Sequence, residues 1–142
     1  MQDKKSCVIY CRQATTQQNN NSINHQEITL KKIAKERGFK IKKIIKDIGT
    51  TTQIKKLIEW IRGKKVDYLL ITGIDRICRN KSDFSQIFDL MERNKIKKIV
   101  TLDKDFDSKK DKASFLIFGA FCYLEKETLS RRIRIGHQIK QS

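Results

Sequence analysis

Blocks of apolar and polar positions alternate along the chain and predict strand and helix in turn. Ser6 to Cys11 is a short apolar run with β-branched members, a predicted first strand. It is apolar on both faces, so it is expected to lie inside a sheet. Residues 13–22, rich in Gln, Thr and Asn, read as a polar loop. A helix is predicted from Ile23 to Arg37, with Ile23, Ile28, Leu30, Ile33 and Ala34 on a rough apolar face and Gly38 as the stop. Phe39 to Ile45 predicts a second strand, and Asp47 to Thr50 the turn after it.

The alternation continues. Ile54, Leu57, Ile58 and Ile61 recur as one helical face, ending near Gly63. Val66 to Thr72 predicts a third strand and is followed by a loop from Asp75 to Asn80. A helix is predicted from Ser82, read as its N-cap, to Asn94, with Phe84, Ile87, Phe88 and Met91 inward. Ile96 to Leu102 predicts a fourth strand, and Asp103 to Lys112 a charged loop. A long helix is predicted from about Ala113 to His137. Its first half, Phe115 to Leu124, is apolar all round, which predicts burial on more than one side, against the sheet and against a partner chain.

Four strand–helix alternations predict an α/β fold. The expectation is one Rossmann-like three-layer domain over residues 1–142, with a mostly parallel sheet of four to five strands and a long C-terminal helix. Ligands of such sheets bind beyond the carboxyl ends of the strands. Arg12, Asp47, Asp75, Arg76 and Arg79 fall at or just past those ends. Arginine forks suit a phosphate, to which they make bidentate, charge-assisted bonds. The alternative is three unrelated surface arginines. Asp75 and Asp47 are open between orienting an arginine and capping a turn.

Composition changes this picture in two ways. The formal net charge is +16, which points to an anionic partner such as nucleic acid or, equally, to a lysine-rich background. Lys31 to Lys46 holds eight basic residues and one acid and is open between a phosphate-tracking patch and a solvated face. After Thr128 the charged residues are Arg131, Arg132, Arg134 and Lys140, with no acid among them, as expected of an arm that follows a DNA groove. Second, Cys7, Cys11, Cys78 and Cys122 show no zinc-finger spacing and read as reduced core residues, suiting a cytoplasmic protein. No signal peptide is recognisable, and no apolar run approaches the roughly 20 residues of a membrane span. Phosphate-loop glycine motifs are missing. His25 and His137 lack ligand partners at metal spacing, and Trp60 reads as a packing residue. No metal or cofactor is expected.

At these residues the sequence resembles the catalytic domain of the serine recombinases, the resolvases, invertases and large serine integrases. The family pattern Tyr-x-Arg-x-Ser-Thr-x-x-Gln is matched by Tyr10, Arg12, Ala14, Thr15 and Gln18. Ser22-Ile23-Asn24-His25-Gln26 matches the lead-in to the first helix. Asp47 matches the Asp after the second strand, and Asp75-Arg76-Ile77-Cys78-Arg79 the full Asp-Arg-x-x-Arg loop. Glu125-Lys126 matches a Glu-Arg pair on the long helix, and Arg132 an arginine beyond it. The resemblance implies a serine that attacks a DNA phosphodiester, arginines that stabilise the phosphate, no metal or ATP, and assembly of subunits through the long helices.

The departures are as specific as the matches. Ala14 occupies the nucleophile position, and losing a nucleophile costs up to about a million-fold in rate. Thr15 is expected to point the other way. Thr51 falls where the family has an active-site arginine, in a shortened loop, and Lys126 replaces an arginine. The family's separate DNA-binding domain has no counterpart here, leaving a truncated chain or a short natural protein. Three readings follow. One is a degenerate domain that binds double-stranded DNA, as a dimer or tetramer or with an active recombinase partner, without cutting. Another is an active catalytic domain whose serine was replaced. The third is an assembly module with no DNA affinity.

Overall fold

The computed structural model describes residues 4–13, 22–48, 53–64, 66–78, 81–122 and 124. Strand β1 (Ser6–Gln13) is the inner strand that its composition predicts. Cys7 to Cys11 are all fully buried, with Val8 and Tyr10 turned to one face and Cys7, Ile9 and Cys11 to the other. Around it the sheet has the order β2-β1-β3-β4-β5, where β2 is Lys40–Ile48, β3 Val66–Leu70, β4 Ile96–Val100 and β5 Asp105–Asp107. The first four are parallel, and β5 runs antiparallel to β4. Helix α1 (Ile23–Arg37) covers one face. Helices α2 (Gln53–Gly63), α3 (Lys81–Glu92) and α4 (residues 112–122) pack on the other, giving three layers.

Local chemistry fixes the boundaries. Ser22 caps α1 by accepting from the His25 N–H at 3.2 Å. Gly38 ends the helix in the left-handed region at φ 73°, donating to the carbonyls of Ala34 and Lys35. The predicted limits of α1 therefore stand. At the other end of β1, the Asp67 carboxylate accepts from Ser6 N at 2.8 Å and Ser6 Oγ at 3.2 Å, with Lys97 Nζ 3.3 Å away. Trp60 packs against the core as expected, with the Lys64 ammonium 5.4 Å from its ring centre.

Four expectations need correction. Asp47 is not in a turn, because pairing with β1 continues to Gln13↔Ile48 and carries Asp47 inside the strand. Ser82 is not an N-cap, because α3 starts one residue earlier and Ser82 Oγ accepts from Gln86 Nε2 within the helix. The charged loop contains β5, a short strand with one buried residue, Phe106, between two aspartates, one of which pairs with Arg37 at 2.7 Å. Strands β3 and β4 end at Leu70 and Val100, two residues earlier than predicted. Ile71 and Leu102 still donate to the carbonyls of Val100 and Thr72, but the ladder is no longer regular.

Strand β2 lies at a sheet edge and is irregular. Ile41 pairs with Cys7 and Lys43 with Val8, so Lys42 is extra, a bulge. Lys40, Lys42, Lys43 and Lys46 are all exposed along this edge.

Helix α4 docks through Phe115, which is fully buried. It stacks 4.9 Å from Phe84 and meets Phe106 edge-on at 5.5 Å. One turn later Gly119 lets the helix approach α3 so closely that a Cβ there would occupy the space of the Phe84 ring. The outer side is uncovered among the described residues, where Leu116, Ile117, Phe118, Phe121 and Leu124 are between 41% and 63% exposed. Over the described part the helix thus has one docked side, as expected, and one side exposed in the single chain. Residues 125–137 of the predicted helix lie outside the described residues.

A Gly119→Ala change sets helix propensity against overpacking. Alanine gains up to about 1 kcal/mol over glycine in a helix, while the Phe84 collision costs about 1–3 kcal/mol. Phe84 is pinned by Phe115, so the collision wins, and the thermal midpoint is expected to fall. A second expectation concerns acid. Burial would raise the Asp67 carboxyl, but the Ser6 bonds and Lys97 outweigh it and hold it below its ordinary 3.8. Lys31 and Lys46 hold Glu27 below 4.5, and the N–H groups of Lys109 and Lys110 hold Asp107 below 3.8. Depressed folded-state values stabilise the fold above the ordinary carboxylate range. That contribution is lost as pH falls through the folded values, so stability measured by denaturant titration should be level near neutrality and decline below about pH 4.

Candidate active site

The carboxyl end of β1 is gripped from both sides. From α1, Gln26 makes two bonds to the Arg12 peptide: its Oε1 accepts from the Arg12 N–H at 3.0 Å, and its Nε2 donates to the Arg12 carbonyl at 2.7 Å. From beyond β3, where Ile74–Arg76 forms a single 3-10 turn, Arg76 Nη1 donates to the same carbonyl at 3.1 Å. Its Nε donates to Thr72 Oγ1 at 3.3 Å. Gln13, the next residue on β1, accepts from the Ile23 N–H at 2.8 Å and joins the strand end to the start of α1. One peptide is thereby fixed by segments 14 and 64 residues away.

Arg12 shares a sheet face with Tyr10 and pairs in register with Asp47. Tyr10 is wholly buried, and its hydroxyl donates to Asp47 Oδ2 at 2.9 Å. Burial, and then the neighbouring Asp47 carboxylate, push the Tyr10 hydroxyl far above its ordinary 10.0, so it remains protonated and donates at any working pH. Arg12 acts in the opposite sense, and Asp83 of α3 in the same sense as Asp47. These four groups therefore form one electrostatic cluster at the strand end. Asp47 Oδ1 is buried without a hydrogen-bond partner among the described residues.

The structure thus brings together Tyr10, Arg12, Asp47 and Arg76 from the sequence-predicted set. Asp75 sits beside them, largely exposed, with Oδ2 3.7 Å from Arg76 Nε, so it faces the arginine. Ala14, Gln18, Thr51, Arg79, Glu125, Lys126, Arg131, Arg132, Arg134 and Lys140 lie outside the described residues. Sequence reasoning met Gln26 only as part of the family's lead-in to the first helix, without a role at the site, and passed over Thr72 and Asp83. Two of them carried a signal: Gln26 interrupts the buried stripe Ile23, Leu30, Ala34, and Asp83 heads the stripe Ile87, Leu90, Met91. A polar residue on an otherwise buried helical face needs a partner, and its partner marks a place of interest. His25 is exposed, as expected. Among the described residues, no group of three or more His, Cys, Asp or Glu side chains could hold a metal ion, and no helix is long and apolar enough to cross a membrane.

The model of the family "Resolvase, N terminal domain" matches residues 7–142. The chain belongs to the resolvase family. Solved structures agree with that membership. The N-terminal catalytic domain of TP901-1 integrase is similar at 25% identity and a TM-score of 0.66, over 92% of this chain and 99% of that one. The catalytic domain of ISC1926 TnpA, an IS607-like serine recombinase, is similar at 28% identity and a TM-score of 0.58, over 70% of each chain. A resolvase family site-specific recombinase from Streptococcus pneumoniae, 22% identical, shares the fold with a TM-score of 0.67 over 97% of this chain and 99% of that one. No curated protein matches the chain in sequence. The fold of this resolvase-family chain is that of a serine recombinase catalytic domain, and the arginine-bearing strand end just described lies within the matched residues.

The Tyr10–Asp47 bond offers a direct check. Tyr10→Phe leaves a buried carboxylate without its donor. The expected cost is about 1–3 kcal/mol, read as a lower denaturation midpoint. An unchanged midpoint would mean that the bond does not organise this strand end.

Proposed function

We propose that this resolvase-family domain binds double-stranded DNA through its arginine site and does not cleave it with alanine at position 14. The carrying observation is the doubly held peptide of Arg12. It fixes the Arg12 backbone, from which the guanidinium extends, beside the Arg76 loop and two residues ahead of the family's nucleophile position. A guanidinium carried on so firmly held a backbone suits one phosphate, with Arg76 beside it and Arg79 as the third expected donor. The chemical step needs an oxygen to attack phosphorus while a bridging P–O bond breaks and the leaving oxygen gains a proton. Alanine has no such oxygen.

Arg131, Arg132, Arg134 and Lys140 are assigned to DNA contact on sequence grounds, and Gln18, Glu125 and Lys126 to the surroundings of the phosphate. The exposed apolar side of α4 supports self-association as a dimer or tetramer, or pairing with an active recombinase. That same surface favours the second reading, an assembly module indifferent to DNA.

Duplex DNA titrated across salt separates these readings. One phosphate held at the arginine site and four more met by Arg131, Arg132, Arg134 and Lys140 predict a slope of log affinity against log salt of about −4.5, a loss of roughly several hundred fold between 50 and 200 mM. Absence of binding at low salt would leave only the assembly module. Ala14→Ser then tests the missing step. A covalent protein–DNA adduct on supercoiled DNA carrying the cognate site would show a machinery complete but for one hydroxyl. Binding without an adduct would show a degenerate site.

A further inference from the structure

Cys78 and Cys122 are distant in sequence but adjacent in the fold. Cys78 follows the Ile74–Arg76 turn and is buried against α4, its Sγ 3.9 Å from the Gly119 carbonyl oxygen. Cys122 lies three residues beyond Gly119, one turn along the same side of the helix, and packs on the core cluster that contains Cys78. The two thiols are hydrogen-bonding neighbours. Neither is in a disulfide, and Cys122 is the less buried of the two. Cys78 also lines a groove of about 380 Å³ between α3 and α4.

We propose that Cys78 and Cys122 are an oxidisable pair whose disulfide ties the arginine loop to the long helix. The oxidant is a peroxide of the hydrogen peroxide class. Cys122, the more accessible thiol, gives up its proton and attacks one peroxide oxygen. The O–O bond breaks, leaving a sulfenic acid and one water. Cys78 sulfur then attacks the Cys122 sulfur, its own proton leaves with the departing hydroxyl, and a second water forms. Two thiols are oxidised by two electrons, and one peroxide is reduced to two waters.

The environment sets the order of these steps. Burial first, and the Cys122 thiol second, push the Cys78 thiol far above its ordinary 9.0, so it is inert towards an oxidant in solution. Once Cys122 is a sulfenic acid its sulfur is electrophilic, and Cys78, packed against the preceding turn of the same helix, is the thiol placed to attack it. Cys7 and Cys11 also have raised thiols, Cys7 at about 11 and Cys11 at about 12, each raised mainly by burial in β1. They lie on the α1 face of the sheet, away from this pair.

The consequence lies in the link itself. Cys78 is two residues after Arg76, which holds the Arg12 carbonyl. A disulfide to α4 makes any movement of the helix a movement of the arginine loop. Reduction uncouples them.

The test treats the chain with hydrogen peroxide, blocks the remaining thiols and digests with trypsin without reductant. The expected product joins the peptide Ile77–Arg79 to Ala113–Lys126, lighter by two hydrogens than the sum and separable by dithiothreitol. Two of the four thiols should disappear. The thermal midpoint should rise on oxidation and return on reduction, and it should not rise in Cys122→Ser. Should that variant fail to fold, the wild-type peptide map decides alone. Four surviving thiols, a link through Cys7 or Cys11, or a link only between two copies of the chain would each overturn the proposal.

Discussion

A strand that is dry on both faces constrains this molecule more than any other feature. Cys7 to Cys11 have no solvent exposure, so β1 must have a neighbour on each edge and a layer on each side. The apolar faces of α1 and α2 exist to supply those layers. Where the strand emerges, its last residues stay paired to β2 but have no β3 ladder after Ile9↔Leu70, and polar groups on that side need partners. Gln26, Arg76 and the Ile23 N–H meet that need. The rigidity of the arginine site is therefore a by-product of satisfying the end of a buried strand, and the site inherits its precision from the core.

This division of labour makes the two arginines unequal. Arg76 spends Nη1 and Nε on the Arg12 carbonyl and on Thr72, so it acts first as a structural clasp. Arg12 is held by its backbone, which leaves its side chain to answer to the acidic groups around it. Asp47 and Asp83 add negative charge on the face that carries Arg12, and the arginine's positive charge acts against them at Tyr10.

Much of the fold was legible because its signals were local and redundant. Helix α1 carried a serine cap, an apolar stripe and a terminal glycine, and its limits came out to the residue. β5 was not legible, because Asp105-Phe106-Asp107 has a single apolar residue and its strand character comes from pairing with β4. Asp47 was misplaced because a charged residue two positions before a glycine reads as a turn. Nothing in the local sequence announces a tyrosine hydroxyl from another strand. For the site, the arginines were visible as strand-end residues, but the contacts that fix them come from a glutamine on a helix and from a residue 64 positions away. Such long-range polar pairings have no period.

The bulged, lysine-lined rim of β2 has a further consequence for how copies of the chain behave together. An open strand edge is a template for another edge, and four lysines with an out-of-step residue at Lys42 make that template repulsive and badly registered. Only the bulge is independent of the medium. Charge repulsion reaches about 10 Å at 0.1 M salt and about 3 Å at 1 M. Concentrated brine, or a polyanion lying along the lysines, would switch off the electrostatic guard and leave one misfit residue to keep the sheets of two molecules from merging.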